Sequence, residues 1–174
     1  AIPLGLLAAL RKGSGTDRGI LLFSLIGVAT PNFLLGPILI LFFSLKMDWL
    51  PVSGKAGFAS LILPALTLGI GMSAILVRMT RSSVLSVIGK EFILTAQAKG
   101  IPTRWIVIRH LFRNALMPII TLVGLQLGAL LTGSIITETL FSWPGLGRLT
   151  ISAILSRDYP LVQGCVLVVA LTYL

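Results

Sequence analysis

Residues 19–45 read GILLFSLIGVATPNFLLGPILILFFSL, an apolar run without one charged side chain. About 20 apolar residues carry an α-helix across the hydrocarbon core of a bilayer, so this stretch predicts a membrane span. Pro31 and Pro37 lie inside it; helix breakers are tolerated in membranes where neighbouring helices re-satisfy the freed carbonyls. Outward from this run, Phe58–Val77 and Ala115–Thr137 predict two further spans, and Ile2–Leu10 and Leu161–Leu174 predict parts of two more. Because both ends fall inside apolar runs, at least one further span is expected upstream and a completed span downstream. The predicted fold class is all-α: a polytopic membrane protein, with residues 1–174 forming a single transmembrane domain truncated at both ends.

Composition excludes the ordinary soluble classes. Apolar residues make up 56% of the chain and charged residues 11%, with a mean hydropathy of +1.03. Soluble domains are about 45–50% apolar and about 25% charged. The formal net charge of +9 could mark a nucleic-acid footprint, but the basic residues sit between apolar runs, where topology-setting charges belong, so no nucleic-acid partner is expected. Arg11, Lys12 and Arg18, with seven more from Arg78 to Arg113, fall on one side of the alternating spans. Lys46, Lys55, Arg148 and Arg157 fall on the other. The positive-inside rule makes the richer side cytoplasmic. The single cysteine, Cys165, allows no intrachain disulfide, and no cleavable signal pattern is visible.

The segment 78–113 differs in kind. Its seven basic residues face one acid, Glu91, and Gly100-Ile101-Pro102 punctuates two amphipathic patterns, Glu91–Lys99 and Thr103–Phe112. This predicts a helix, a break and a second helix on the cytoplasmic side. Glu91, Thr95 and Ala98 share a face at helical spacing, and Ala96 and Gly100 lie four apart. Small residues let a partner surface approach closely, and Lys99 and Arg104 suit carboxylates on it or lipid headgroups. The plainer account is a solvated basic loop that only enforces topology, with Gly100 an ordinary helix-ending glycine. Arg109 and Arg113 read as interfacial anchors that snorkel to lipid phosphates. His110, with no second histidine or close acid, reads as interfacial.

On the other side, Glu138–Pro160 is too polar to cross and holds Trp143-Pro144-Gly145, a hairpin or re-entrant signal. Glu138 directly follows a span, which makes it a candidate gate or loop anchor. Gln126, Thr132 and Ser134 either line a path or hydrogen-bond between helices. The sequence carries no metal-ligand cluster, no nucleophile–base–acid set and no GxxxxGK[ST] phosphate loop, so no catalytic, metal or cofactor residue is assigned.

Thr95-Ala96-Gln97-Ala98-Lys99-Gly100, followed by Arg109-His110, Arg113-Asn114-Ala115 and Pro118, resembles the EAA loop of ABC importer permeases, in particular the dipeptide, oligopeptide, nickel and glutathione branch. Pro31-Asn32-Phe33, Trp49-Leu50-Pro51, Ile62-Leu63-Pro64-Ala65, Gly133-Ser134 and the run from Glu138 and Phe141 through Trp143-Pro144-Gly145-Leu146-Gly147-Arg148 to Arg157-Asp158-Tyr159-Pro160 are similar to the same branch. The glutamate of the general pattern would fall at Leu94 and its first alanine at Thr95, a departure that leaves Glu91 as a nearby acid.

The resemblance implies a type I permease-like helical bundle with cytoplasmic coupling helices in a bacterial or archaeal plasma (inner) membrane. It implies an ATPase-coupling loop carried by Glu91, Thr95, Ala96, Ala98, Lys99, Gly100 and Arg104, and an outer gate near Glu138, Trp143, Pro144 and Gly145. Implied partners are two ATPase subunits holding ATP and Mg, a second permease subunit, an extracytoplasmic solute-binding protein and the lipid bilayer. The expected function is ATP-driven, binding-protein-dependent import of peptides or related small solutes. The rivals are a secondary transporter driven by an ion gradient, which would ordinarily carry acids within its spans, and a non-transport membrane assembly protein.

Overall fold

The computed structural model describes residues 1–54, 57–131 and 135–173, and every regular element among them is helical. In chain order these are α1 (Ile2–Leu10), α2 (Gly15–Ala29), α3 (Asn32–Leu39) with wide π-helical turns Ile40–Lys46, α4 (Ala59–Ile88) and α5 (Glu91–Ala98). Then follow α6 (Thr103–Trp105) with π-helical turns Ile106–Phe112, α7 (Arg113–Leu131), α8 (Ile135–Leu140), α9 (Leu146–Leu155) and α10 (Tyr159–Tyr173). Two helical stretches, Ala59–Ile88 and Thr103–Leu130, are each long and apolar enough to cross a membrane. Gly15–Ala29 and Asn32–Lys46 qualify only together, as a broken span or a re-entrant loop.

Several sequence expectations need correction. The run 19–45 is not one helix. Pro31 has no N–H to donate and sits extended at φ −65°, ψ 145°, so the helix stops at Ala29 and restarts at Asn32. Phe58–Val77 does not end at Arg78, because α4 continues through the basic residues to Ile88. Thr103–Phe112 is not a separate amphipathic helix; it runs directly into α7. Glu138–Pro160 is not simply a loop, since it contains the end of α8 and all of α9. Thr132, Gly133, Ser134 and Lys55 lie outside the described residues.

The chain forms two compact units, each built from two segments. The first comprises Ala1–Ala29 and Met72–Gly124. In it α1 packs on α2, and Gly5 meets α4 closely: a Cβ there would lie 2.6 Å from the Val77 carbonyl oxygen and 2.6 Å from Thr80 Cβ. Its core gathers Ala9, Val84, Val87, Ile93, Ala96, Ile106, Leu111 and Ala115. The second unit comprises Thr30–Gly71 and Leu125–Leu174. There α3 packs on α8, α8 on α9, and α9 on α10. Gly36 makes room for Leu140 and Phe141, and Phe141 and Leu63 are fully buried.

Candidate functional site

The residues predicted to couple to a partner come together on α5 and the turn after it. Glu91 opens the helix, where a carboxylate complements the N-terminal dipole. Ile93 and Ala96, three apart, face inward and are 2% and 5% exposed. They join Val84 and Val87 of α4 and Ile106 and Leu111 of the π-helical turns. The apolar back of α5 therefore anchors it against the start of the next long helix. Ala96, grouped with Gly100 in the sequence, belongs to this internal side.

The helix ends in a Schellman arrangement. The Gly100 N–H donates to the Gln97 carbonyl at 2.9 Å and the Ile101 N–H to the Ala96 carbonyl at 3.3 Å. Gly100 takes φ +71°, the left-handed region that glycine enters without a Cβ penalty. Ile101 packs against the same core as Ala96, the apolar contact that accompanies this cap. Pro102 then starts the next helix from an extended conformation. The turn is thus fixed at both ends, and a Cβ at Gly100 would touch nothing, so backbone conformation is the reason for glycine.

Glu91, Leu94, Thr95 and Ala98 form the opposite, exposed face at i, i+3, i+4 and i+7. The Thr95 hydroxyl donates to the Glu91 carbonyl at 2.9 Å. Leu94 is 55% exposed, and Phe92, Lys99, Gly100, Arg104 and Trp105 are exposed nearby in the chain. Sequence reasoning passed over Leu94 and Phe92 as contact residues. The spacing that grouped Glu91, Thr95 and Ala98 also places Leu94 among them.

One charged contact binds segments far apart in the sequence. Arg81 of α4 donates from Nε and Nη2 to both oxygens of Asp17, at 2.7 and 2.8 Å, and the Gly13 N–H donates to Asp17 Oδ2 at 2.8 Å. The Asp17 side chain is 3% exposed. Both residues lie past the apolar runs, Asp17 in the first turn of α2 and Arg81 beyond Val77. The hydrogen bonds from Arg81, then that from Gly13, hold the Asp17 carboxyl well below its ordinary range, at about 2. Sequence reading assigned this pair no role.

In the second unit, Glu138 is a loop anchor in a specific sense. The Arg148 N–H donates to Glu138 Oε2 at 2.8 Å, and the Trp143 N–H donates to the Glu138 carbonyl at 2.8 Å. Arg148 is the third residue of α9, so the carboxylate caps that helix from outside and meets its positive end. Gly145 and Gly147 permit the approach. A Cβ at Gly145 would overlap the Glu138 carboxylate, and one at Gly147 would lie 2.7 Å from Ile135 Cγ1 and 3.1 Å from Glu138 Oε2. Trp143 and Glu138 also line a cavity of about 230 Å³ with Leu61, Pro64, Leu68 and Thr137. Gln126, within α7, also takes part in a polar contact.

The family model for the binding-protein-dependent transport system inner membrane component matches residues 1–174. The chain belongs to this family. Within the permease family it is similar to the glutathione transport system permease protein GsiC of Escherichia coli, with 41% identity over 170 residues, 98% of this chain and 56% of the relative. It is likewise 41% identical over 170 residues to the protein of that name from Shigella flexneri, with the same two shares. The counterpart from Salmonella choleraesuis is 40% identical over 173 residues, 99% of this chain and 56% of the relative. The chain thus spans about half the length of the curated permeases it matches.

Proposed function

We propose that this chain forms the membrane-spanning, force-receiving part of a permease subunit in an ATP-driven importer. The observation that carries the proposal is the construction of α5: an exposed face of Glu91, Leu94, Thr95 and Ala98 on a helix fixed from behind by Ile93 and Ala96 and stopped by Gly100. A helix that must transmit movement needs a firm attachment to the spanning helices and a free face for the partner. α5 has both. Its core neighbours belong to α4 and to the stretch entering α7, the two helices long enough to span, so a push on α5 reaches them through packed side chains.

In this proposal the free face and the exposed Lys99 and Arg104 meet an ATPase subunit on the cytoplasmic side. Two ATPase subunits hold ATP and Mg and carry out hydrolysis, while this chain is not an enzyme and binds neither. A second permease subunit completes the pathway, and an extracytoplasmic solute-binding protein delivers the solute near the Glu138-capped hairpin. The names of the relatives favour glutathione or another small peptide as cargo. The five acids all lie outside the apolar runs, which disfavours an ion-driven carrier.

Co-purification of the full-length permease with its ATPases tests this. Leu94→Glu places a charge on the exposed face without entering the core and should release the ATPases while the permease still inserts. Retention of the ATPases at the wild-type level would refute the docking role of α5.

A further inference from the structure

The groove between the start of α2 and the middle of α4 has no part in the coupling account. It has a volume of about 430 Å³ and is lined by Arg18, Leu21, Leu22, Leu25 and Arg78. Arg18, Leu21, Leu22 and Leu25 stand at i, i+3, i+4 and i+7, one stripe along α2. Leu22 and Leu25 are 62% and 52% exposed, and both arginines are exposed. The nearest acid in sequence, Asp17, directs both carboxylate oxygens to Arg81 and Gly13. Among the described residues no ion pair involves Arg18 or Arg78.

We propose that this groove is a binding site for an anionic phospholipid of the cytoplasmic leaflet, with its phosphate between Arg18 and Arg78 and its upper acyl chain on Leu21, Leu22 and Leu25. Two features select this occupant. Guanidinium groups match phosphate oxygens in charge and geometry, and basic pockets beside spanning helices on the cytoplasmic side suit such headgroups. The groove also changes from cationic to apolar along α2 in the direction that a lipid changes from headgroup to chain. Free phosphate would use the arginines and gain nothing from the leucines. A protein segment would need acids to meet two cations that have no salt bridge among the described residues.

The test uses the full-length permease assembled with its partners, extracted in mild detergent from vesicles of equal phosphatidylcholine and phosphatidylglycerol. Retained lipid is measured by native mass spectrometry. The wild type should retain phosphatidylglycerol in preference, and Arg18→Gln and Arg78→Gln should each lower its retention on the order of fivefold. Leu22→Asn should also lower it, Arg18→Lys, which keeps the charge and loses the planar fork, should fall between Arg18→Gln and the wild type, and Arg11→Gln, which removes the same charge outside the groove, should leave it unchanged. Equal retention in the Arg18 and Arg78 variants would overturn the proposal. So would an equal loss in Arg11→Gln, which would mean diffuse attraction. Displacement of the lipid by inorganic phosphate with no effect of Leu22→Asn would assign the site to phosphate instead. A photo-crosslinker at position 22 that captures a protein chain rather than lipid would assign it to a partner.

Discussion

Replacing Glu138 by Ala should loosen α9 through the loss of its external cap. The carboxylate accepts the Arg148 N–H at 2.8 Å and sits at the positive end of the helix. Loss of such a cap costs about 1–2 kcal/mol. Amides in the first turn of α9 should therefore exchange with solvent deuterium roughly 5–30 times faster. The sharper test is a double-mutant cycle with Gly145. Its φ of −136° and ψ of 172° are open to alanine, so Gly145→Ala acts mainly by expelling the Glu138 carboxylate. In the wild-type background it should accelerate exchange about as much as Glu138→Ala. In the Glu138→Ala background most of that effect should vanish, leaving the modest preference for glycine over alanine at a cap. The expected coupling is about 1–2 kcal/mol. Gly147→Ala is the control. Its Cβ would meet Ile135 at 2.7 Å, so its effect should persist in both backgrounds. Additive effects of Gly145→Ala and Glu138→Ala, or unchanged exchange in Glu138→Ala, would refute the cap.

Further outcomes follow from the other contacts. Gly100→Ala should cost about 1–2 kcal/mol from its left-handed backbone alone, and Gly100→Asn should cost less because asparagine tolerates that region; thermal unfolding of the assembled complex ranks them. Ala96→Leu should destabilise the first unit by about 1–3 kcal/mol by overfilling its core, whereas Ala98→Leu, on the exposed face, should leave unfolding unchanged and weaken ATPase retention. Asp17→Asn should lower thermal stability by the same amount throughout about pH 5–8. A carboxyl held at about 2 instead of 3.8 adds stability above its unfolded value and loses it only as pH falls toward 2. A deficit that grows or shrinks across the neutral range would contradict the Arg81 pairing.

Much of the molecule is legible in its sequence because lipid demands long apolar runs and water demands charge at their ends. The helical class, the two long spanning helices and the break at Gly100 follow from hydropathy, charge and glycine placement. What hydropathy does not register is backbone continuity. It sees no stop at Thr30-Pro31, because both sides are equally apolar, and it ends a span at Arg78 although the helix continues to Ile88. Helical spacing groups Glu91, Thr95 and Ala98, which the structure leaves exposed, but it does not register the inward position of Ala96, which depends on contacts in the core with Val84 and Ile106. The Asp17–Arg81 pair spans 64 residues of chain, and the fit of Glu138 over Gly145 and Gly147 depends on the geometry of a turn. Single-sequence periodicity carries neither.

The central claim is that the outward face of α5 meets an ATPase. A photo-crosslinking residue at position 94 of the full-length permease, irradiated in native membranes that contain the ATPases, tests it most directly, with position 93 as the inward control. The account predicts a crosslink to an ATPase subunit from position 94 and none from position 93. Crosslinks from position 94 to lipid alone, or equal yields from both positions, would contradict it.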